Sequence, residues 1–243
     1  MKNELAPQGS ASSIDPKLLE EELKQAVRGE VRFGPGERAL FSTDSSNYRQ
    51  LPIGVVTPMD TQDVIDAVAV CRKHGAPIVT RGGGTGLSGQ TCNEGVVFDF
   101  SKYMYKVLEV DPEHRLARVQ PGTVCDYLNK AAAPHGLRFG PDPSTHVSCS
   151  FGGMIGNNSC GTHSVFAAFE GNGARVSDNL RSMKVLTYDG QILEVGDTEG
   201  PNLQTARGIP GREGEIYRSL DALRQEYGED VRKDFPKIPD RKS

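Results

Sequence analysis

The stretch Arg81-Gly-Gly-Gly-Thr-Gly-Leu-Ser-Gly-Gln90 begins where a short apolar strand pattern, Pro77-Ile-Val-Thr80, ends. A second glycine-rich stretch lies further along the chain, at Ser150-Phe-Gly-Gly-Met-Ile-Gly-Asn-Asn-Ser-Cys-Gly161, after the elbow Gly140-Pro-Asp-Pro-Ser-Thr145. Because glycine has no Cβ, backbone N–H groups can turn inward and approach an anion within hydrogen-bonding distance. One such loop suggests a phosphate. Two of them, with the elbow, favour a long ligand with two negative charges, for which a dinucleotide is the natural candidate.

The residues around the first glycine stretch predict a βαβ unit. Ile53-Gly-Val-Val-Thr57 reads as a strand, and Pro58 and Asp60 then open a helix that Gly75 closes. The strand at Pro77-Ile-Val-Thr80 follows, and Val96-Val-Phe-Asp-Phe100 is a third strand. At this spacing the strands are expected to be parallel, with a right-handed crossover.

The rest of the chain predicts a different series of elements. Residues 1–13 are predicted to be a disordered leader, and 14–50 an N-terminal helical segment, with Asp15 as N-cap and Pro16 in the first turn. Strands joined by tight turns and one helix are predicted over 101–197, which indicates an antiparallel sheet. The strands are 106–110, 115–120, 183–188 and 191–195, and the helix is 124–133. A loop at 200–214, a helix at 215–227 and a charged tail complete the chain.

Composition excludes several classes of protein. The net charge of −4, without any long basic run, argues against a nucleic-acid partner. No apolar run reaches the roughly 20 residues that span a bilayer, so no transmembrane segment is expected. The five cysteines are odd in number and scattered, which favours reduced thiols and a cytoplasmic location.

Three other nucleotide-binding or catalytic motifs are excluded, because the residues that each of them requires are missing. Gly84-Thr-Gly-Leu-Ser-Gly89 spells the Rossmann fingerprint, yet a loop and the strand at Val96 follow instead of a long helix, and Asp99 comes too early. No Walker lysine follows the glycines, and no serine stands in a G-x-S-x-G elbow. The remaining bland alternative is a glycine-rich turn that binds no ligand.

A zinc site is a further alternative. His146 and Cys149 form one pair with suitable spacing, and Cys160 and His163 form a second. The ten residues between the pairs are rich in glycine and asparagine, which suits backbone contact with a ligand better than a rigid zinc knuckle. Packing is the first interpretation of these cysteines, and no metal is assigned.

The order of these signals, with Val119-Gln-Pro-Gly122 between the two glycine stretches, resembles the FAD-binding domain of the vanillyl-alcohol-oxidase/p-cresol-methylhydroxylase (VAO/PCMH) flavoproteins. Within them the chain is similar to the branch that oxidises D-2-hydroxy acids: D-lactate, D-2-hydroxyglutarate and glycolate dehydrogenases. The segments 46–50, 139–146 and 154–164 look like the large members that carry an iron–sulfur region. The resemblance implies an α+β fold of PCMH/VAO type. Its FAD-binding domain would cover 51–197, with a small βαβ subdomain at 51–100 and a larger mixed or antiparallel-sheet subdomain with helices at 101–197.

The resemblance also implies how FAD is held. The first loop would bind the pyrophosphate through backbone amides, the second would follow the ribityl chain and pyrophosphate, and the elbow would support the flavin ring. Some relatives attach the flavin through a histidine in the first loop, where this chain has Thr85, so non-covalent FAD is expected. No catalytic residue is assigned. The expected cofactor-binding residues are Arg81, Gly82, Gly83, Gly84, Thr85, Gly86, Gln90, Pro141, Asp142, Pro143, Ser144, Thr145, Gly152, Gly153, Ile155, Gly156, Asn157, Cys160 and Gly161.

By resemblance, the complete enzyme would oxidise a small 2-hydroxy acid by hydride transfer to flavin N5. The related enzymes continue into a substrate-holding cap domain, so 198–243 is expected to lead towards an absent cap, and the chain to be incomplete alone. A separate cap or iron–sulfur subunit is the corresponding partner. The complete enzyme would be cytoplasmic or peripheral to the inner face of the membrane. Two alternatives stay open: a non-catalytic FAD-binding assembly subunit, and a different oxidase or reductase on the same fold.

Overall fold

The structure, a computed structural model, describes residues 14–169, 171 and 173–235. The predicted leader, 1–13, and the tail from 236 onward lie outside these residues. The α-helices are α1 (Pro16–Ala26), α2 (Pro35–Leu40), α3 (Thr61–Lys73), α4 (Cys125–Ala132), α5 (Phe151–Gly156), α6 (Val165–Phe169), α7 (Pro201–Gly208) and α8 (Arg212–Asp234). The strands are β1 (Glu30–Arg32), β2 (Gly54–Thr57), β3 (Ile78–Arg81), β4 (Val96–Asp99), β5 (Val107–Asp111), β6 (Leu116–Val119), β7 (Met183–Leu186) and β8 (Ile192–Val195).

A sheet of four strands, in the order β1-β2-β4-β3, forms the centre of the part of the chain that ends at Val176. Strand β4 lies between β2 and β3 and is parallel to both, since Val97 pairs with Val55 on one side and with Val79 on the other. These three valines form a buried cluster, as is typical of a parallel sheet with both faces covered. The predicted parallel arrangement is confirmed. Strand β1, antiparallel to β2, is an addition that the sequence did not predict.

Helix α3 connects β2 to β3 and begins and ends at the predicted signals. The Asp60 carboxylate accepts hydrogen bonds from the amides of Gln62 at 3.0 Å and Asp63 at 3.1 Å. At the other end Gly75 has φ +64°, the left-handed conformation that closes a helix. The connection between the two parallel strands is therefore fixed at both ends by local sequence.

Asp63 is a buried carboxylate that the apolar pattern of α3 does not predict. It is 1% exposed and accepts hydrogen bonds from three backbone amides: those of Arg28 at 3.0 Å, Gly29 at 3.0 Å and Met59 at 2.9 Å. Backbone donors that would otherwise be buried without partners are satisfied in this way. Asp63 thus ties the chain leaving α1 to the beginning of α3.

The antiparallel pairing expected over 101–197 is present, but it forms two separate two-stranded sheets and not a single one. Strands β5 and β6 form one antiparallel pair, and β7 and β8 form another. Each pair closes on itself through a short turn, and Gly190 in the second turn has φ +90°, as Asp189-Gly190 predicts. Three helices, α4 to α6, lie between the two pairs along the chain. The mixed α+β fold class is confirmed.

The contacts divide the chain into one unit that ends at Val176 and a second that begins at Ser177. In the second unit, the loop predicted at 200–214 is partly helical, since α7 begins at Pro201. Proline is tolerated in the first turn of a helix because the amide there has no hydrogen-bond partner within the helix. Helix α8 is also longer than the predicted 215–227. Asp221, 5% exposed, pairs with Arg207 at 3.0 Å and Arg224 at 2.9 Å and so joins the two helices. The domain limits expected from the sequence stay predictions.

Candidate functional site

Strand β3 delivers the first glycine loop to the carboxyl edge of the parallel strands. Arg81 is the last residue of β3, and Gly82–Gly86 follow outside any helix or strand. Within the described ranges, none of the amides of Gly82–Gly86 donates a hydrogen bond. Gly84 has φ +62°, a conformation that a residue with a Cβ rarely adopts. The loop therefore offers a row of backbone donors without partners, the arrangement that binds an anion.

The two glycine-rich segments, distant in sequence, lie against each other. A Cβ added to Gly82 would lie 1.7 Å from Ser150 Oγ, and one added to Gly83 would lie 2.1 Å from the carbonyl oxygen of Ser148. Neither distance is possible for real atoms, so only glycine allows this approach. We call this line of contact, formed by Gly82, Gly83, Ser148 and Ser150, the seam.

The second glycine segment is not a loop throughout, as the sequence predicted, because its first half is helix α5. The helix forms because Phe151 and Met154 lie three residues apart and bury the same face, being 5% and 1% exposed. Ile155 is partly buried and packs against the cluster that contains Met154. The predicted contact residue Ile155 therefore has its side chain engaged in the core.

The opposite face of α5 is open. A Cβ on Gly156 would meet nothing within 4 Å, and one on Gly153 would meet only Ser150 Oγ at 3.9 Å. Asn157, directly after the helix, is exposed, and its Oδ1 lies 3.5 Å from Nε2 of Gln90, at the long limit of a hydrogen bond. The structure thus brings Gln90 and Asn157, predicted from different segments, to the same place.

The elbow and the end of the second segment are held together by Ser164, which is fully buried. Its hydroxyl oxygen accepts hydrogen bonds from the amides of Asp142 at 2.9 Å and Gly161 at 2.8 Å. A Cβ on Gly161 would lie 1.9 Å from the Asp142 carbonyl oxygen, so this contact also requires glycine. This role of Ser164 was not predicted from the sequence. A local signal would have been its position three residues after Gly161.

The exposure of the remaining predicted residues differs along the elbow. Pro141 and Pro143 are buried, Thr145 is partly buried and Ser144 is exposed. Cys160 is a partly exposed free thiol. The elbow therefore offers Ser144 and Thr145, rather than its prolines, to a ligand.

The side chain of Arg81, predicted to contact the cofactor, lies against the first loop at Gly84, where an added Cβ would be 2.6 Å from Arg81 Nη2, and it also contacts the segment 41–45. The guanidinium lies 5.3 Å from the centre of the Phe41 ring, and its Nη1 donates a hydrogen bond to the carbonyl oxygen of Thr43 at 2.7 Å. The amide of Ser45 in turn donates to the Gly84 carbonyl oxygen at 3.0 Å. The segment 41–45, which the sequence did not connect with the site, thus supports the first loop from behind.

Asp44 strengthens the same support. Its carboxylate accepts hydrogen bonds from the amide of Ser46 and from the hydroxyl of Thr91, both at 2.8 Å. Burial raises the pKa of Asp44, but the hydrogen bonds from Ser46 and Thr91 outweigh it and lower the pKa to about 2. Asp44 therefore stays ionised and links the support segment to the residues just after the first loop.

The two histidines of the zinc alternative have other partners. His146 Nδ1 lies 2.8 Å from Asp126, and His163 Nδ1 lies 3.1 Å from Asp142. Cys149 is buried, and that burial raises the pKa of its thiol. Within the described ranges no three metal-ligating side chains come together. The zinc alternative therefore finds no support in this part of the chain.

The fold class and the site together indicate a flavoprotein domain, and comparison with known proteins defines the family. Residues 52–196 match the family described as "FAD binding domain". The chain belongs to this family, and its cofactor is FAD. The resemblance seen in the sequence is thereby confirmed.

Relatives with curated names agree with this assignment. The chain is 33% identical over 226 residues to D-2-hydroxyglutarate dehydrogenase of Pseudomonas putida, a match covering 92% of this chain and 22% of the relative. It is 36% identical over 212 residues to the glycolate oxidase subunit GlcD of Escherichia coli, covering 85% of this chain and 41% of the relative. The chain thus spans less than half the length of these relatives.

Solved structures give the same fold. 6-Hydroxy-D-nicotine oxidase from Arthrobacter nicotinovorans is similar with a TM-score of 0.61 and 25% identity, over 73% of this chain and 38% of that one. An alkyldihydroxyacetonephosphate synthase is similar with a TM-score of 0.64 and 22% identity, over 76% and 39%. The latter likeness shows the fold alone.

The described residues fit FAD. A dinucleotide pyrophosphate carries two negative charges, which the free amides of Gly82–Gly86 suit. The open face of α5 at Gly153 and Gly156 leaves space for a ligand beside them. No helix of the described ranges has both the length and the apolar character that crossing a membrane would need.

Proposed function

We propose that FAD binds non-covalently along the seam, with its pyrophosphate on the amides of Gly82–Gly86. The observation that carries this proposal is the row of unpartnered amides, held in place by the glycine contacts of the seam. Without a ligand, water can hydrogen-bond these exposed amides, so they destabilise the fold little. When an anion replaces the water, the amides form charge-assisted hydrogen bonds with it. A threonine hydroxyl at Thr85 offers no nucleophilic imidazole, which supports non-covalent binding.

The remaining contacts follow the two segments away from the loop. Gln90 and Asn157 would offer amide donors and acceptors, and the open glycines of α5 would let the ligand lie close to the backbone. Ser144 and Thr145 of the elbow would hydrogen-bond the flavin end. Arg81 and Asp44 would act on the ligand through the loop that they support.

For the whole protein, we propose the oxidation of a small 2-hydroxy acid. When bound, the flavin would supply the redox chemistry by accepting a hydride from the substrate carbon. The support comes from the dehydrogenase and oxidase relatives. Since the chain spans 22% of one of them and 41% of another, groups that activate the substrate would come from a region corresponding to their unmatched parts. This chain's own residues would bind, orient and fix the cofactor.

A turnover assay tests whether this chain binds the cofactor while another region activates the substrate. The purified chain, saturated with FAD, is given a dye acceptor and D-2-hydroxyglutarate, D-lactate or glycolate in turn. We expect no dye reduction by the chain alone, and dye reduction when the unmatched region of a dehydrogenase relative is supplied, fused or as a separate polypeptide. Turnover at an enzyme-like rate by the chain alone would contradict the proposal that another region activates the substrate. A chain that stays inactive with that region present would favour the alternative of a non-catalytic FAD-binding subunit.

A further inference from the structure

Helix α8 carries a line of apolar side chains that the described part of the chain leaves largely uncovered. Its members recur every three or four residues, so they lie on one side of the helix. They are Ile216, Leu220, Leu223, Tyr227 and Val231. We call this line the α8 stripe. Ile216 is partly buried and the other four are between 43% and 57% exposed, whereas a surface helix normally turns its apolar side towards a core.

Helix α7 packs against a different side of α8. Gly214 and Asp221 are buried on that side, and Arg218 Nη1 donates a hydrogen bond to the Arg207 carbonyl oxygen at 2.7 Å. At 3.6 residues per turn, the middle of that side lies about 150° around the helix from the middle of the α8 stripe. Helix α7 has 8 residues and α8 has 23, so α7 is also too short to follow α8 along its length. The α8 stripe therefore faces away from the helix that holds α8 in place.

A second copy of the chain fits the α8 stripe because the stripe is complementary to itself. In an antiparallel pair of α8 helices centred at Leu223, Ile216 would lie opposite Val231 of the second copy. Leu220 would likewise lie opposite Tyr227 of the second copy. A twofold axis requires such an arrangement, since the same surface of both molecules forms the contact.

The charged residues beside the α8 stripe favour an antiparallel pair. Arg212 stands beside the beginning of the stripe, and Asp230 and Asp234 stand beside its end on the same flank. A parallel second helix would bring four carboxylates together at one end, and neighbouring like charges are destabilising. An antiparallel helix instead brings Arg212 of each copy beside Asp234 of the other. It also places the dipoles of the two helices in opposite directions.

Other charges near the α8 stripe are compatible with this arrangement. Arg224, near the middle, pairs with Asp221 of its own chain at 2.9 Å, so its charge is already balanced. Arg212 pairs with Asp189 at 2.8 Å, but a guanidinium has five N–H donors and can hold a second carboxylate. Glu213 stands on the other flank of the stripe, where the antiparallel helix places no charged residue close by.

We propose that the α8 stripe is the contact surface of a homodimer in which the α8 helices of two copies pack antiparallel. This inference goes beyond the proposed cofactor site and does not depend on it. The pair buries apolar surface that one chain leaves in water, which favours association. A contact of one helix from each copy is small, below about 1,200 Å² in total, so we expect a weak dimer that dissociates on dilution.

Sedimentation equilibrium of the full chain over a series of concentrations measures the dimer directly. Leu223→Glu is expected to raise the dissociation constant about 30-fold or more, as the loss of a central interface side chain does. Ala222→Glu is the matched control, since it adds the same charge at the neighbouring exposed position, away from the stripe, and should leave the constant unchanged. Both positions are exposed, so circular dichroism should show a folded protein in each variant.

Reversal of two charges tests the antiparallel arrangement. Arg212→Asp and Asp234→Arg should each weaken the dimer, and the double variant should recover much of the loss. Within one chain the two residues are about 33 Å apart along the helix, so only a contact between copies can produce this recovery.

A wild-type chain that stays monomeric at every concentration would overturn the proposal. So would a Leu223→Glu protein that dimerises like the wild type, or an equal loss in Ala222→Glu. A double variant without recovery would overturn the antiparallel arrangement.

Discussion

Gly82 and Ser150 approach so closely that a single added methyl group on Gly82 would overlap Ser150 Oγ, at 1.7 Å. This contact joins two segments that lie far apart in the sequence of the cofactor-binding domain. It gives the glycines of the first loop a role beyond flexibility, since Gly82 and Gly83 are required by packing and Gly84 by its positive φ. The position of the free amides thus depends on the seam.

Gly82→Ala is expected to push the two segments apart. Overpacking of this kind should lower the free energy of unfolding by about 1–3 kcal/mol, measured by urea denaturation. FAD affinity, measured by fluorescence titration, should fall with it because the loop amides move.

Gly153→Ala is the matched control, because its new Cβ would have 3.9 Å to the nearest atom and should leave the free energy of unfolding near that of the wild type. The double variant Gly82→Ala/Ser150→Gly removes the overlapping side chain and should recover part of the lost stability. A Gly82→Ala protein as stable as the wild type would show that the seam is looser than described.

The sequence predicted the parts of the fold that have local signals. Helices α1 and α3 begin at Asp15 and Asp60, which are N-caps in the structure, and Gly75 ends α3. Helix α7 was missed although Pro201 marks its start, because the surrounding glycines and prolines suggested a loop. Strand β1 has only three residues, too few to show a periodic pattern.

For the site, the sequence predicted the segments but not how they meet. The glycines and Asn157 stand out in the chain, and the structure places Asn157 beside Gln90. The support of the first loop by Arg81 and the segment 41–45 depends on contacts between residues far apart in sequence, for which no local pattern exists.

Arg81→Lys separates two roles of this residue. If Arg81 acts by supporting the loop, lysine should not replace it. Lysine lacks the planar guanidinium that contacts the Phe41 ring and at the same time donates a hydrogen bond to the Thr43 carbonyl oxygen. We expect FAD affinity to fall by about tenfold, the effect of one lost charge-assisted hydrogen bond. If Arg81 acted only as a positive charge near the phosphates, lysine would preserve affinity, and titration would show a wild-type dissociation constant.

Asp44 should make the stability of the loop support depend on pH in the acid range. Its pKa is lowered to about 2 in the folded protein, against about 3.9 for an ordinary aspartate. The resulting stability is present above pH 4 and is lost as the pH falls through 2. The difference in free energy of unfolding between wild type and Asp44→Asn should therefore narrow from pH 4 towards pH 2. A difference that stays constant over this range would contradict the role given to the Asp44 carboxylate.

Asp63→Asn tests the buried carboxylate beneath α3. An asparagine can accept through one oxygen only, and its NH₂ group would face backbone donors, so at least one amide of Arg28, Gly29 or Met59 loses its partner. The expected loss is about 1–3 kcal/mol in the free energy of unfolding, read from thermal or urea denaturation. Asp66→Asn, at a partly exposed position of the same helix whose carboxylate accepts one hydrogen bond from the side-chain amide of Gln62, should lower the free energy of unfolding far less. Equal losses of stability in the two variants would contradict the role given to the Asp63 carboxylate.

Direct titration of the purified chain with FAD tests whether the first glycine loop binds the cofactor. We expect flavin fluorescence to be quenched to saturation at one FAD per chain, and denaturation to release the FAD unmodified. Gly84→Val, which places a branched side chain at φ +62°, should abolish the quenching while circular dichroism stays that of the folded protein. A colourless protein without quenching, or a Gly84→Val variant that binds FAD as the wild type does, would contradict binding by this loop.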